Sequence, residues 1–178
     1  ARIMDMLGPK PVIDLVRKTG VTSRLPNVPS IALGTPDISL FEMVGAYGTF
    51  VNKGIYIEPI IITRIEDKNG MPLFEVVPNT TDVISQEAAY VTVNLLKGVT
   101  KYGSGGRLRH AGLEKTNYVY ENVVTGYPYI FDNPIAGKTG TTQNQSDGWF
   151  IGMVPNLVSG VWVGGEDRSI HFEEIAFG

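Results

Sequence analysis

The sequence predicts an α/β fold, a mainly antiparallel sheet flanked by helices, on three observations. Apolar residues recur at helical spacings through residues 1 to 54 and again through 85 to 102. A stretch rich in β-branched residues, 55 to 77, contains Asn69-Gly70, a strong hairpin signal. Within 134 to 165, three apolar runs are joined by polar or Pro-Asn turns, so neighbouring strands can lie side by side.

In chain order, Ile3, Met6 and Leu7, then Val12, Ile13, Leu15 and Val16, predict two short helices parted at Gly8-Pro9 and stopped at Gly20. Pro26, Pro29 and Gly34 mark the following segment as loop. Thr35-Pro36-Asp37 has the form of a helix start, a capping residue with proline at the first helical position. Leu40, Met43, Val44, Tyr47 and Val51 continue one apolar face as far as Gly54. Ile55 to Ile65 and Pro72 to Val77 form the two arms of a β-ribbon. Ser85 can cap a helix running to Tyr102, in which Val91, Leu95 and Val99 recur four apart, and Gly103, Gly105 and Gly106 end it. Residues 107 to 133 lack periodicity and predict an irregular insertion, its Tyr118, Tyr120, Tyr127, Tyr129 and Phe131 packing the segment down. The remaining runs predict strands buried on both faces, with 135 to 142 at the sheet edge and 146 to 154 and 157 to 165 beside it.

The chain has 178 residues, 43% of them hydrophobic, enough to bury a substantial core and amounting to one domain or most of one. A net charge of −3 gives no basic footprint for a phosphate backbone, so nucleic acid is not an expected partner. The absence of cysteine excludes thiol nucleophiles, disulfides and thiolate metal sites. His110 and His171 have no partner at metal-ligand spacing, and no metal or cofactor is expected. No run reaches the roughly 20 apolar residues of a membrane helix, and the opening Ala-Arg-Ile-Met suggests a piece of a longer protein.

The chemistry concentrates in "NPIAGKTGTTQNQSDGWFIG", residues 133 to 152. Gly-Lys-Thr serves two chemistries. A phosphate-binding loop needs glycine where this chain has Asp132, with a hydrophobic strand before it and a helix after it, and that context fails at both ends. The Lys-Thr-Gly strand of serine penicillin-recognising enzymes fits instead. An extended chain turns Lys138 and Gly140 to one face and Thr139 and Thr141 to the other. A cation and two hydroxyls thus border one strand, and Gly140 lets another group come close to its edge.

Three stretches in this order carry a specific resemblance: "ALGTPDISLFEMVGAYGTFVNKGIYIEPIIITRIEDKNG", "VISQEAAYVTVNLLKGVTKYGSGGRL" and "PIAGKTGTTQNQSDGWFIGMVPNLVSGVWVGGED". Over nearly all of its length, the chain resembles the C-terminal part of the transpeptidase domain of class A (bifunctional) penicillin-binding proteins. The resemblance implies a β-lactamase/transpeptidase-like fold and a peptidoglycan D,D-transpeptidase. In such enzymes a serine attacks the D-Ala-D-Ala carbonyl of a stem peptide, D-Ala leaves, and a neighbouring peptide's amine resolves the acyl-enzyme. β-Lactam antibiotics trap that intermediate. The catalytic residues implied are Lys138, which keeps positive charge beside the nucleophile, and Thr141, whose backbone N–H supplies half of the oxyanion hole. Thr139, Gly140, Thr141 and Thr142 are the implied substrate-binding residues, the hydroxyls of Thr139 and Thr141 holding the terminal carboxylate. Asp147 is expected to anchor the turn between strands by local hydrogen bonds.

One departure from that family pattern matters most. Its nucleophile motif, Ser-x-x-Lys, and its second motif, Ser-x-Asn, are absent, since Ser23, Ser30, Ser39, Ser85, Ser104, Ser146, Ser159 and Ser169 fail both. Tyr120-Glu121-Asn122 matches a Tyr-x-Asn variant but falls within the irregular segment. The expected partner is therefore an upstream segment carrying the nucleophile, and the piece alone is expected to be inactive. A glycosyltransferase domain, an upstream anchor and a location outside the cytoplasmic membrane are further implications of the resemblance. Two alternatives stay open: a non-catalytic penicillin-binding-like binding or assembly module, and a related serine carboxypeptidase or β-lactamase. Lys97, Lys101, Arg107, Arg109, His110 and Lys115 could form a cationic patch for wall polymer, but solvated charges at a helix end account for them.

Overall fold

The structure, a computed structural model, describes residues 2–109 and 131–172. The chain divides into two units, Ala1–Ala89 and Tyr90–Gly178. In the first, α1 (Arg2–Leu7) and α2 (Pro9–Lys18) are separated by Gly8, whose φ of 71° ends the first helix. Pro9 then opens α2, where the missing N–H costs nothing. The Thr19 hydroxyl donates to the Val16 carbonyl at 2.7 Å and the Arg17 guanidinium to the Val21 carbonyl at 2.7 Å, closing the helix over buried Val21.

The next helix, α3 (Leu40–Val51), starts later than Thr35-Pro36-Asp37 predicts. Ser39 is its cap, because Ser39 and Glu42 form a capping box: the Ser39 hydroxyl accepts from the Glu42 N–H at 3.2 Å and the Glu42 carboxylate from the Ser39 N–H at 3.1 Å. Glu42 also reaches the preceding loop. Oε1 accepts the N–H groups of Thr22 and Ser23 at 2.7 and 2.9 Å and the Thr22 hydroxyl at 2.8 Å, while Oε2 accepts the Ser23 hydroxyl at 2.6 Å. The Ser23 hydroxyl, with the Thr22 and Ser23 amides, holds this carboxyl well below the usual carboxylate range, against a smaller opposing effect of burial.

The ribbon extends further than its sequence signal and is interrupted. Its outer ladder pairs β1 (Ile55–Ile57) with β4 (Thr80–Asp82), and its inner ladder pairs β2 (Arg64–Glu66) with β3 (Pro72–Glu75), both antiparallel. Pro59, which has no N–H for a ladder, breaks the outgoing arm and lies against Gly45 of α3. At the tip, the Asp67 carboxylate accepts the N–H groups of Asn69 and Met71, both at 2.8 Å, with Gly70 left-handed at φ 82°. Val83 and Ile84 return their N–H groups to the Gly54 carbonyl at 3.0 and 3.2 Å, which leads the chain into α4 (Gln86–Lys101). Ser85 caps α4 by accepting the Ala88 N–H at 3.2 Å.

In the second unit, β5 (Ala136–Thr141), β6 (Asp147–Val154) and β7 (Leu157–Gly164) form an antiparallel sheet in that order. Pro155-Asn156 makes the two-residue turn between β6 and β7, whose register opens at Val154 opposite Leu157. Ala136, Ile151 and Met153 are buried. The expectation that all three strands are buried on both faces fails at both outer strands: Val161, Trp162 and Val163 of β7 are 50%, 41% and 53% exposed, and Lys138 and Thr141 of β5 are exposed. An outer strand has a neighbour on one side alone, and no described residue pairs with its far edge. Of the predicted irregular insertion, Gly106–Leu108 is a short 3₁₀ turn. Residues 110–130, with Tyr118, Tyr120, Tyr127 and Tyr129, lie outside the described residues.

Candidate active site

The Lys-Thr-Gly segment is a strand, which excludes a phosphate-binding loop: Ala136–Thr141 pairs with β6 along its whole length. Register fixes the faces. Lys138 lies opposite Ile151 and Gly140 opposite Trp149 on one face, and Thr139 lies opposite Phe150 and Thr141 opposite Gly148 on the other. Gly140 has a packing role here, since a Cβ at that position would stand 3.2 Å from the Trp149 Cβ. Lys138 and Thr141 are exposed, while Thr139 and Gly140 are half-buried.

The same register assigns the backbone groups. The Thr142 N–H donates to the Asp147 carbonyl at 3.4 Å, so positions 142, 140, 138 and 136 direct their N–H and C=O groups toward β6. Positions 135, 137, 139 and 141 therefore direct theirs to the outer edge. Two contacts agree with this alternation. The Thr100 hydroxyl donates to the Ile135 carbonyl at 2.5 Å, and the Lys138 ammonium bends round to donate to the Thr139 carbonyl at 2.5 Å. Lys138 thus brings its charge to the same edge from which the Thr141 N–H points outward.

The turn after β5 is closed on itself. The Thr142 hydroxyl accepts the Asp147 N–H at 3.1 Å, and Asp147 Oδ2 accepts the Trp162 indole N–H at 3.2 Å. Asp147 thus anchors the turn through its N–H, while its carboxylate reaches across to Trp162 of β7. Asn144 and Gln145 take left-handed backbone angles, φ 60° and 54°, which fold the chain back sharply within the turn.

Sequence reasoning did not single out Ser104. Its hydroxyl lies 2.5 Å from that of Thr139, on the loop that follows α4. Thr100 meets Ile135 and Ser104 meets Thr139, so this segment runs along the edge of β5 in the same direction. Four helical residues rise about 6 Å and four strand residues about 13 Å, so the chain must leave the helix to keep pace. It does so at Lys101. A signal existed in the small-residue run Gly103-Ser104-Gly105-Gly106, yet no local pattern reveals a partner 35 positions away.

Three of the basic residues in and after α4 have partners within the chain. The Lys97 ammonium donates to Asn94 Oδ1 at 3.1 Å, Lys101 lies over the Tyr102 ring at 5.0 Å, and Arg109 donates to the Asn133 carbonyl. His110 and Lys115 lie outside the described residues. His171 Nδ1 is 3.4 Å from the Phe172 carbonyl oxygen. Among the described residues no group of three or more potential ligands could hold a metal, and no helix is long and apolar enough to cross a membrane.

Residues 17–165 match the family model of the penicillin binding protein transpeptidase domain. The chain belongs to that family. It is 32% identical over 162 residues to penicillin-binding protein 1A of Aquifex aeolicus (strain VF5), covering 91% of this chain and 19% of that relative. It therefore spans about a fifth of the length of that relative. Among solved structures, penicillin-binding protein 1A from Haemophilus influenzae has the same fold, with a TM-score of 0.76, 23% identity and coverage of 96% of this chain and 28% of that one. A Mycobacterium tuberculosis protein in complex with penicillin V gives a TM-score of 0.69 at 25% identity, over 92% of this chain and 43% of that one. The family is the one that the three quoted stretches resemble.

Proposed function

We propose that this chain supplies one wall of the active site of a peptidoglycan D,D-transpeptidase, a serine-type acyltransferase that β-lactam antibiotics acylate. The observation that carries the proposal is the outer edge of β5, where the Lys138 ammonium meets the Thr139 carbonyl and the Thr141 N–H points outward, in a family of penicillin-binding transpeptidases. The nucleophile serine and the second-motif serine come from outside these 178 residues, none of whose serines stands in either motif. That serine attacks the carbonyl of the penultimate D-Ala, D-Ala departs with a proton, and the acyl group passes to a neighbouring peptide's amine.

Lys138 to Thr142 each have a role in that sequence. Lys138 holds positive charge beside the nucleophile and the anionic stem peptide. The Thr141 N–H, preorganised by the ladder, stabilises the negative charge that develops on the carbonyl oxygen, an effect of about a hundredfold or more per donor. The Thr139 and Thr141 hydroxyls hold the terminal carboxylate, with Gly140 keeping that stretch low and Thr142 fixing the turn behind it. No cofactor is needed for this acyl transfer. The donor and acceptor stem peptides are the substrates, and the setting is the outer side of the cytoplasmic membrane, with an anchor and a glycosyltransferase domain elsewhere in the parent protein.

A fluorescent penicillin tests the proposal. The full-length protein is expected to be labelled covalently and residues 1–178 alone to remain unlabelled. Labelling of the piece alone would place the nucleophile within it and overturn the assignment. A full-length protein that resists labelling would favour a non-catalytic binding module, and one that is labelled but rapidly released would favour a β-lactamase.

A further inference from the structure

We propose that Ser104 is a positioning residue of the acyl-transfer site, acting through the hydroxyl of Thr139; this rests on the function proposed above. A threonine hydroxyl on a half-exposed strand has three staggered positions to choose from. The Ser104 hydroxyl lies 2.5 Å from it and removes that choice. Such help is useful where the hydroxyl must face an anionic group on arrival rather than reorient toward it.

Ser104 itself is held in place. The Gly103 N–H donates to the Gly98 carbonyl at 3.0 Å and the Gly105 N–H to the Val99 carbonyl at 3.0 Å, so the residues on both sides of Ser104 are tied to the last turns of α4. Gly105 is buried, and a Cβ there would stand 3.5 Å from the Phe150 ring of β6. Two further bonds tie the chain beyond it to the segment that enters β5: the Phe131 N–H donates to the Leu108 carbonyl at 2.9 Å, and Arg109 donates to the Asn133 carbonyl. Ser104 is exposed on this fixed loop, so its hydroxyl serves no buried polar need. What it meets is the second residue of the Lys-Thr-Gly motif. A hydroxyl at position 104 thus orients Thr139 while leaving the Lys138 charge and the Thr141 N–H untouched.

The test uses the full-length protein and the second-order rate of acylation by a fluorescent penicillin, with thermal unfolding alongside. Ser104→Ala is expected to slow acylation about 3- to 10-fold, the scale of one neutral hydrogen bond, at an unchanged melting temperature. Ser104→Thr is expected to restore the rate. Thr139→Ala is expected to lose at least as much as Ser104→Ala, and the double variant to be no slower than Thr139→Ala alone, since Ser104 acts through that hydroxyl. A Ser104→Ala rate equal to that of the unchanged protein overturns the inference, and so do losses that multiply in the double variant. If the unchanged protein itself is not acylated, the function proposed above fails, a result distinct from failure at Ser104.

Discussion

Two hydroxyl-rich parts of this chain accompany charges of opposite sign. In the first unit, Thr22, Ser23 and Ser39 surround the Glu42 carboxylate and all donate to it. In the second, Thr139, Thr141 and Thr142 share a strand and its turn with the Lys138 ammonium, which donates to the Thr139 carbonyl. A carboxylate can accept from every hydroxyl and amide around it, so the first cluster saturates itself and becomes structure. An ammonium can only donate, so it cannot saturate the hydroxyls that share its strand and turn. On the function proposed above, the terminal carboxylate of a stem peptide or a penicillin is the anion that such a stretch would take up.

The largest effect is expected where the charge at the open cluster is removed. In the full-length protein, Lys138→Met should slow acylation by a fluorescent penicillin on the order of 10²- to 10³-fold, the range found for groups that stabilise developing charge. Because Lys138 is exposed, the melting temperature should hardly move. A Lys138→Met protein acylated at the original rate would remove the cation from the mechanism and the contrast with Glu42 along with it.

A second substitution separates the backbone donor from its strand. Proline is tolerated on an edge strand where its missing N–H faces outward, and position 141 meets that condition by register. Thr141→Pro should therefore fold and lose about a hundredfold in acylation rate, whereas Thr141→Ala, which keeps the N–H, should lose about tenfold or less. The same change at Gly140, whose N–H faces β6, should destabilise the sheet. Equal losses for proline and alanine at 141 would show that the hydroxyl alone matters there.

How far each cluster could be read in advance follows from how local it is. The strand at 136–141 was legible because its alternation and motif lie within six residues, and the helix Gln86–Lys101 because Ser85 and the four-residue spacing of Val91, Leu95 and Val99 are local too. The ribbon tip was legible in Asn69-Gly70, but β4 was not, since Thr80–Asp82 is a strand only through pairing with β1. The start of α3 was misread because Thr35-Pro36-Asp37 imitates a cap more openly than Ser39, whose partner Glu42 gives it reciprocal bonds. The bonds from Glu42 to residues 22 and 23 span about twenty positions and that from Ser104 to Thr139 spans 35, so both belong to tertiary packing. The exposure of β7 was illegible for a related reason: an apolar run states what it could bury, not whether a neighbour is present.

The saturated cluster should appear as stability rather than rate. Glu42→Ala in the full-length protein is expected to cost about 2 kcal/mol, combining a lost cap with donors left unpaired. The fold favours the charged form of this carboxyl, so its contribution is complete above the ordinary value of about 4.5 and fades as pH falls below it. The difference in stability between the unchanged protein and Glu42→Ala should therefore be largest near neutral pH and shrink progressively in acid. A difference that grows in acid would contradict the lowered carboxyl.

The smallest effect is expected at a carboxylate that has a partner but no cluster. Asp14 pairs with Lys10 at 2.9 Å one turn away on α2, with side chains 55% and 76% exposed. Water solvates both groups nearly as well in the unfolded chain, and holding two long side chains together costs entropy. Asp14→Ala should therefore cost about 0.3–0.5 kcal/mol, and raising the salt concentration should erase most of that. The Glu42 contribution, made largely of short hydrogen bonds to fixed backbone and hydroxyl groups, should resist salt. Thermal unfolding of both variants at low and high salt measures this directly. If the two carboxylates respond alike, geometry around the charge is not what separates a structural cluster from a surface pair.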